Sequence, residues 1–344
     1  MNLRKLFFLI FSLLIIIGGV LGYNIYSRIY TPNTTKEGFL YIPTNSNFTE
    51  VESLVRPFLK RVKPFIWVAN KKKYPNTIKP GKYLILKGMN NNQLINLLRS
   101  GKQTFVKLTF NNQDSFEQLA RRIAQQIEAD SISLLNSFNN EAFLRKNGFN
   151  KYNAIGMYIP NTYEFYWNTS ANEFRNRILK EYHKFWNISR LKKAERVGLS
   201  KKEVITLASI VQKETATVSE RPMVARLYLN RLRDKWPLQA DPTIIFALKE
   251  KMGRNTIIKR VLSKDLEINS PYNTYKNIGL PPGPIAMPDI SSIDAVLNPA
   301  NHDYYYMCAS ITSIGQHEFA KTLNQHNRNA SRYQSWLNKQ GVNR

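Results

Sequence analysis

"LSKKEVITLASIVQKETATVSERPMVARLYLNRL", residues 199–232, holds two helical patterns joined by a short polar turn, with one carboxylate, Glu214, at the junction. Ser200 followed by Glu203 spells a capping box, and Leu199 with Val204 spells the accompanying hydrophobic staple, so the first helix begins just after Ser200. At about 100° per residue, Val204, Leu207, Ala208 and Val211 share one face. Glu214 falls on the border of that face, one turn beyond Ile210, while Gln212 and Lys213 turn away from it. The second pattern has Ser219 as a candidate cap, Pro222 in its first turn, and Val224, Leu227, Tyr228 and Leu232 as its apolar face. Two such helices meet near Glu214.

A carboxylate beside leucine and isoleucine side chains loses hydration, which raises its pKa and keeps it protonated near neutral pH. That is the state a general acid needs in order to protonate a poor leaving oxygen, as in cleavage of a glycosidic bond. The competing reading is a glutamate that ends a helix with its head in water.

Downstream, Asp241 precedes Pro242 at the start of an apolar run, which reads as a helix cap followed by proline, with a sugar contact as the alternative. The segment 270–288, "SPYNTYKNIGLPPGPIAMP", is too rich in proline and glycine for a regular element. Fixed proline dihedrals make such a loop rigid enough to present the polar groups of Asn273, Thr274 and Tyr275. Upstream, "YIPNTYEFYWNTS" at 158–170 gathers aromatics that suit either a sugar groove or core packing. In residues 114–130, Phe116, Leu119, Ile123 and Ile127 recur at helical spacing.

The chain opens with Arg4 and Lys5 and then an uncharged apolar run from Leu6 to Tyr23. This predicts a short tail over 1–5, a transmembrane anchor over 6–26 and a polar linker over 27–37, with the remainder outside the cytoplasmic membrane. A cleaved signal peptide is the alternative, but the run lacks a small-residue cleavage site. Residues 38–107 read as a small α/β module. The strand "KYLIL" leads there into a helix carrying Leu94, Leu97 and Leu98, stopped by Gly101. Residues 108–338 form the larger domain and 339–344 a tail.

The formal charge is +26 and there is one cysteine, Cys308. The charge alone would suit a nucleic-acid partner, but the anchor argues against it and points to anionic lipid head groups or cell-wall polymers. A single cysteine excludes an internal disulfide. The four histidines show no metal-ligand spacing, and no glycine-rich phosphate loop is present, so neither metal nor cofactor is expected.

Several stretches in order resemble the YceG-like (MltG) family of endolytic murein transglycosylases. They are "LASIVQKET" at 207–215, "SER" at 219–221, "NRL" at 230–232, "LQADPT" at 238–243, "SPYNTY" with "GLPPGPI" between 270 and 285, and "GQHEFAKTLNQHN" at 315–327. The resemblance implies an α+β chain: a single transmembrane helix, a small LysM-like wall-binding module, and a mixed α+β YceG-like catalytic domain. It places the catalytic glutamate at Glu214 and suggests substrate contacts from Thr215, Glu220, Gln239, Asp241, Asn273, Thr274 and Tyr275. It implies peptidoglycan glycan strands as substrate, peptidoglycan synthases as partners, and a single-pass protein of the cytoplasmic membrane with its catalytic domain on the outer side. Gln212, Asn161 and Phe246 depart from the family's usual glutamate, aspartate and tyrosine, so no chemistry is carried over to them. A membrane-tethered muramidase and a non-catalytic wall-binding protein are the alternative functions.

Overall fold

The computed structural model describes residues 3–258 and 260–340 of the chain. Among the described residues the architecture is mixed α+β, with many helices and three two-stranded sheets. It divides into two compact units, one of residues 1–108 with 125–129 and 163–170, the other holding the rest. The expected single cut near residue 107 is therefore interrupted twice, because two later segments return to the first unit.

In the first unit, Leu3–Tyr30 is one unbroken 28-residue helix with a mean hydropathy of 2.6 over its apolar window. By length and composition it can cross a bilayer. Its last turns belong to the fold: Asn91 Nδ2 donates to the Arg28 carbonyl at 2.7 Å, and Ile29 packs on the core. Strands Gly38–Ile42 and Gly81–Ile85 pair antiparallel, and helices Phe48–Val55, Val62–Lys71 and Asn91–Ser100 pack around them. Leu40, Ile42, Phe65, Tyr83, Ile85, Leu94 and Leu98 fill the core.

The polar linker expected over 27–37 is not a linker. Residues 27–30 are helical, and Asn33 and Thr34 are buried. Asn33 Nδ2 donates to the Arg61 carbonyl and to Asn91 Oδ1, both at 2.8 Å, and the Arg61 amide donates back to Asn33 Oδ1. Polarity suggested exposure, but these amides find long-range partners that make burial affordable.

The second unit is built around helix Lys201–Glu214, which packs on helices Arg221–Arg233 and Ile290–Leu297. The capping box at Ser200 and Glu203 forms as expected. Every residue from Val204 to Gln212 is buried, so the helix is enclosed all round rather than along one stripe. Gln212 does not turn to solvent. Its Nε2 donates to the Met287 carbonyl at 3.3 Å, and its Oε1 accepts from the Asp289 amide and the Ser292 hydroxyl.

Two other local expectations change, and the aromatic stretch takes its packing alternative. Ser219 lies within the 3₁₀ turn Val218–Glu220 and caps nothing. The helix from Phe116 stops at Ala124, short of Ile127. The aromatics of 158–170 serve mainly in packing, with Tyr158 buried and the Tyr166 ring stacked on Phe105 at 4.7 Å. At its C-terminal end the unit carries the hairpin Tyr306–Ala309 with His317–Ala320 and helix Leu323–Lys339.

Candidate active site

Glu214 is the last residue of its helix, and its side chain is half-buried. The Tyr228 hydroxyl, from the next helix, donates to Glu214 Oε1 at 2.7 Å. Burial pushes the carboxyl up to about 7. The Tyr228 hydrogen bond and the nearby His317 and Arg231 oppose that rise, while Asp241 adds to it. Near neutral pH such a group is populated as both acid and carboxylate, which suits proton donation followed by proton uptake.

Arg231, one turn beyond Tyr228, is buried with its guanidinium spent on backbone: Nε donates to the Tyr305 carbonyl at 2.8 Å and Nη1 to the Leu238 carbonyl at 2.5 Å. It thereby ties segment 238–241 and the C-terminal hairpin to the helix that carries Tyr228. Glu220 is buried too, accepting from the His317 amide at 2.5 Å and lying 3.0 Å from His317 Nδ1.

Asp241 does not cap its helix. It is the first residue of Asp241–Met252, and its Oδ1 accepts from the Tyr275 hydroxyl at 2.5 Å. Burial and this carboxylate raise the Tyr275 pKa, so the phenol stays protonated. Thr274 is buried: its Oγ1 accepts from the Ala240 amide at 3.0 Å and meets Thr243 Oγ1 at 2.8 Å. Asn273 is buried, with Nδ2 on the carbonyls of Leu266 and Ile268 and Oδ1 holding the Tyr275 amide. Thr215 is buried as the helix end cap, and its Oγ1 accepts from the Thr217 amide at 3.1 Å.

The residues singled out from the sequence thus separate. Gln239, Asp241 and Tyr275 keep exposed or half-exposed polar groups, and the electrostatic influence of Asp241 and Tyr275 reaches the Glu214–Tyr228 pair. Thr215, Glu220, Asn273 and Thr274 commit their polar atoms to the scaffold. Gln239 holds a left-handed backbone, with φ 52°, where its amide donates to the Thr274 carbonyl at 3.0 Å. Sequence reasoning missed Tyr228, Arg231 and His317. The available signal was Tyr228 itself, since a tyrosine on a buried face needs a partner for its hydroxyl. Among the described residues, no group of three or more His, Cys, Asp or Glu could hold a metal ion.

The architecture is shared with known proteins. A crystal structure of a YceG-like protein from Listeria monocytogenes superimposes with a TM-score of 0.57 at 27% identity, covering 85% of this chain and 98% of that one. A Bacillus subtilis protein named endolytic murein transglycosylase is 32% identical over 317 residues, 86% of this chain and 85% of its own length. A Streptococcus pneumoniae protein of the same name is 27% identical, and the match spans 95% of this chain but 64% of that longer one. The model of the YceG-like family matches residues 40–332, a span that takes in Glu214, Tyr228, Asp241 and Tyr275. The chain belongs to the YceG-like family.

Proposed function

We propose that this chain is an endolytic murein transglycosylase, cutting the β-1,4 bond between N-acetylmuramic acid and N-acetylglucosamine within glycan strands and leaving 1,6-anhydro ends. The observation that carries the reading is Glu214: a half-buried carboxyl raised to about 7 by burial and held through one oxygen by Tyr228. The names of the curated relatives agree with it.

In this reading Glu214 gives its proton to the leaving glycosidic oxygen as the bond from the muramyl C1 breaks, with the muramyl acetamide supporting that carbon. The resulting carboxylate takes the proton of the muramyl C6 hydroxyl, whose oxygen closes on C1. Protons and bonds balance without water, and one residue serves as acid and then base. No protein nucleophile is required, which agrees with a single carboxyl at the helix end. Gln239, Asp241 and Tyr275 serve as sugar contacts, and Thr215, Glu220, Asn273 and Thr274 as their supports.

The strand, helix, helix, strand order of residues 38–85 supports a small LysM-like wall-binding module over 38–107. The apolar helix supports a single-pass anchor, and Arg4 and Lys5 in its first turn, ahead of the apolar run, favour an outer-side catalytic domain. There the enzyme would meet strands under synthesis and the synthases that make them, and its cuts would end their growth.

Digestion of purified sacculi tests the chemistry. Product ends lighter than a hydrolysed end by one water are expected from the unaltered protein. Hydrated reducing ends would move the activity to hydrolysis, and binding without released fragments would remove catalysis.

A further inference from the structure

One groove of the second unit does not include Glu214 among its lining residues. Its lining includes Lys213 and Pro242, the chain neighbours of Glu214 and Asp241, and it encloses about 340 Å³. A second cavity of about 300 Å³ adjoins it and shares Asp114, Glu117, Phe246, Glu250, Arg254 and Ile285. Together they make a trough within the size range of pockets that hold small ligands.

The trough walls are fixed. The Ile285 amide donates to Ser209 Oγ of the central helix at 3.0 Å. A Cβ placed on Gly283 would lie 2.0 Å from the Tyr152 carbonyl oxygen, so only glycine lets the proline-rich loop lie this close to the opposite wall. Phe246 contributes its ring, packed on Tyr272 at 4.5 Å between centroids.

Its charges alternate. Lys213 pairs with Asp114 at 2.6 Å and Arg254 with Glu250 at 2.7 Å, while Arg121 and Lys249 line the first cavity and Lys151 the second. Cations exceed carboxylates, and apolar surface from Ile245, Phe246 and Ile285 lies between them. A neutral sugar chain has no use for this pattern. A short peptide with free carboxylates, one amine and methyl side chains matches it on all three counts.

We propose that this trough binds the stem peptide carried by the muramyl residue at the cleavage point, which makes the enzyme selective for peptide-bearing strands. The inference rests on the murein reading of the Glu214 site. The peptide leaves the sugar from the lactyl group on the same ring whose C1 and C6 react, so a peptide site must lie near the acid, and this trough's lining includes the acid's chain neighbour Lys213. Arg121 and Lys249 hold the peptide carboxylates, Glu117 and Glu250 face its amine, and Phe246 and Ile285 meet the alanine methyls.

The test compares intact sacculi with sacculi stripped of peptides by an amidase, using the full chain and the double variant Arg121→Ala/Lys249→Ala. The unaltered protein should favour peptide-bearing strands, and the variant should narrow that preference about tenfold, the combined worth of two partly exposed ion pairs. Equal losses on both substrates, or no preference in the unaltered protein, would overturn the proposal. Calorimetry with a soluble muramyl tetrapeptide separates this from the catalytic reading. Should no strand be cut at all, the murein chemistry fails, and the trough stands only if the tetrapeptide binds and the double variant weakens it; unchanged or absent binding sinks it.

Discussion

The Tyr228 hydroxyl and Glu214 Oε1 lie 2.7 Å apart across two helices, and the tyrosine is itself buried. The bond holds the carboxyl through Oε1, and in the proposed reaction Oε2 exchanges the proton with substrate. It also holds the carboxyl lower than burial alone would.

Tyr228→Phe therefore has a defined signature. Loss of the hydrogen bond lets the Glu214 pKa rise from about 7, since burial and Asp241 then act against only His317 and Arg231. The alkaline limb of the pH–rate profile, where the acid form is lost, moves to higher pH, and the rate falls about tenfold, the worth of a hydrogen bond to a charged group. A lower rate with an unmoved profile would make Tyr228 a packing residue.

Glu214→Gln is expected to lower transglycosylase activity by about a hundred- to ten-thousand-fold, the range of general acid–base catalysis. It should also raise stability in alkaline solution. The folded protein binds more protons than the unfolded chain between the ordinary carboxylate value of 4.5 and about 7, so this group's contribution to stability is present below that window and lost as pH rises through it. Discounted for the half-buried side chain, the loss is about 2 kcal/mol. Urea titrations of both proteins at pH 5 and pH 8 check this: the variant should gain relative to the parent only at pH 8.

Glu220→Ala should act through structure. It leaves the His317 amide and imidazole without their buried partner, at about 1–3 kcal/mol. A lower urea midpoint with largely retained rate per folded molecule is expected. Full stability with lost activity would instead put Glu220 in contact with substrate.

Gln212→Ala removes an amide that joins the central helix to Met287, Asp289 and Ser292. Orphaning these groups should cost about 1–3 kcal/mol and loosen residues 284–292, read as faster amide exchange there. Unchanged exchange would show that the proline-rich loop holds itself.

Local signals in the sequence were legible and distant partnerships were not. The Ser200–Glu203 box and the Gly101 stop each depend on neighbours within a turn, and both form. The raised pKa of Glu214 followed from its apolar neighbours on the same helix, while the Tyr228 hydroxyl that holds it did not. Asp241 looked like a cap because its text is local, yet its carboxylate goes to Tyr275, 34 residues on. Gln212 and Asn33 looked exposed because amides usually are, but their partners lie 75–80 and 28–58 residues away. Tyr228 read as core, and it is core; what spacing could not say is where its hydroxyl points.

The unbroken passage of the N-terminal helix into the first unit sets how that unit moves. A loose tether of several residues lets a domain wander through a hemisphere, and its local concentration falls as the reach grows. Here the Arg28 carbonyl is pinned by Asn91, and Asn33 is clamped on both sides by Arg61, so no free hinge separates helix from unit. With the helix seated in a bilayer as proposed, the unit rides at a constant height like a mast on a hull. Its encounters with wall polymer become a search within a thin sheet rather than a volume, and lateral diffusion of the anchor sets their rate. Inserting flexible residues between Tyr30 and Asn33 would trade that two-dimensional patrol for reach.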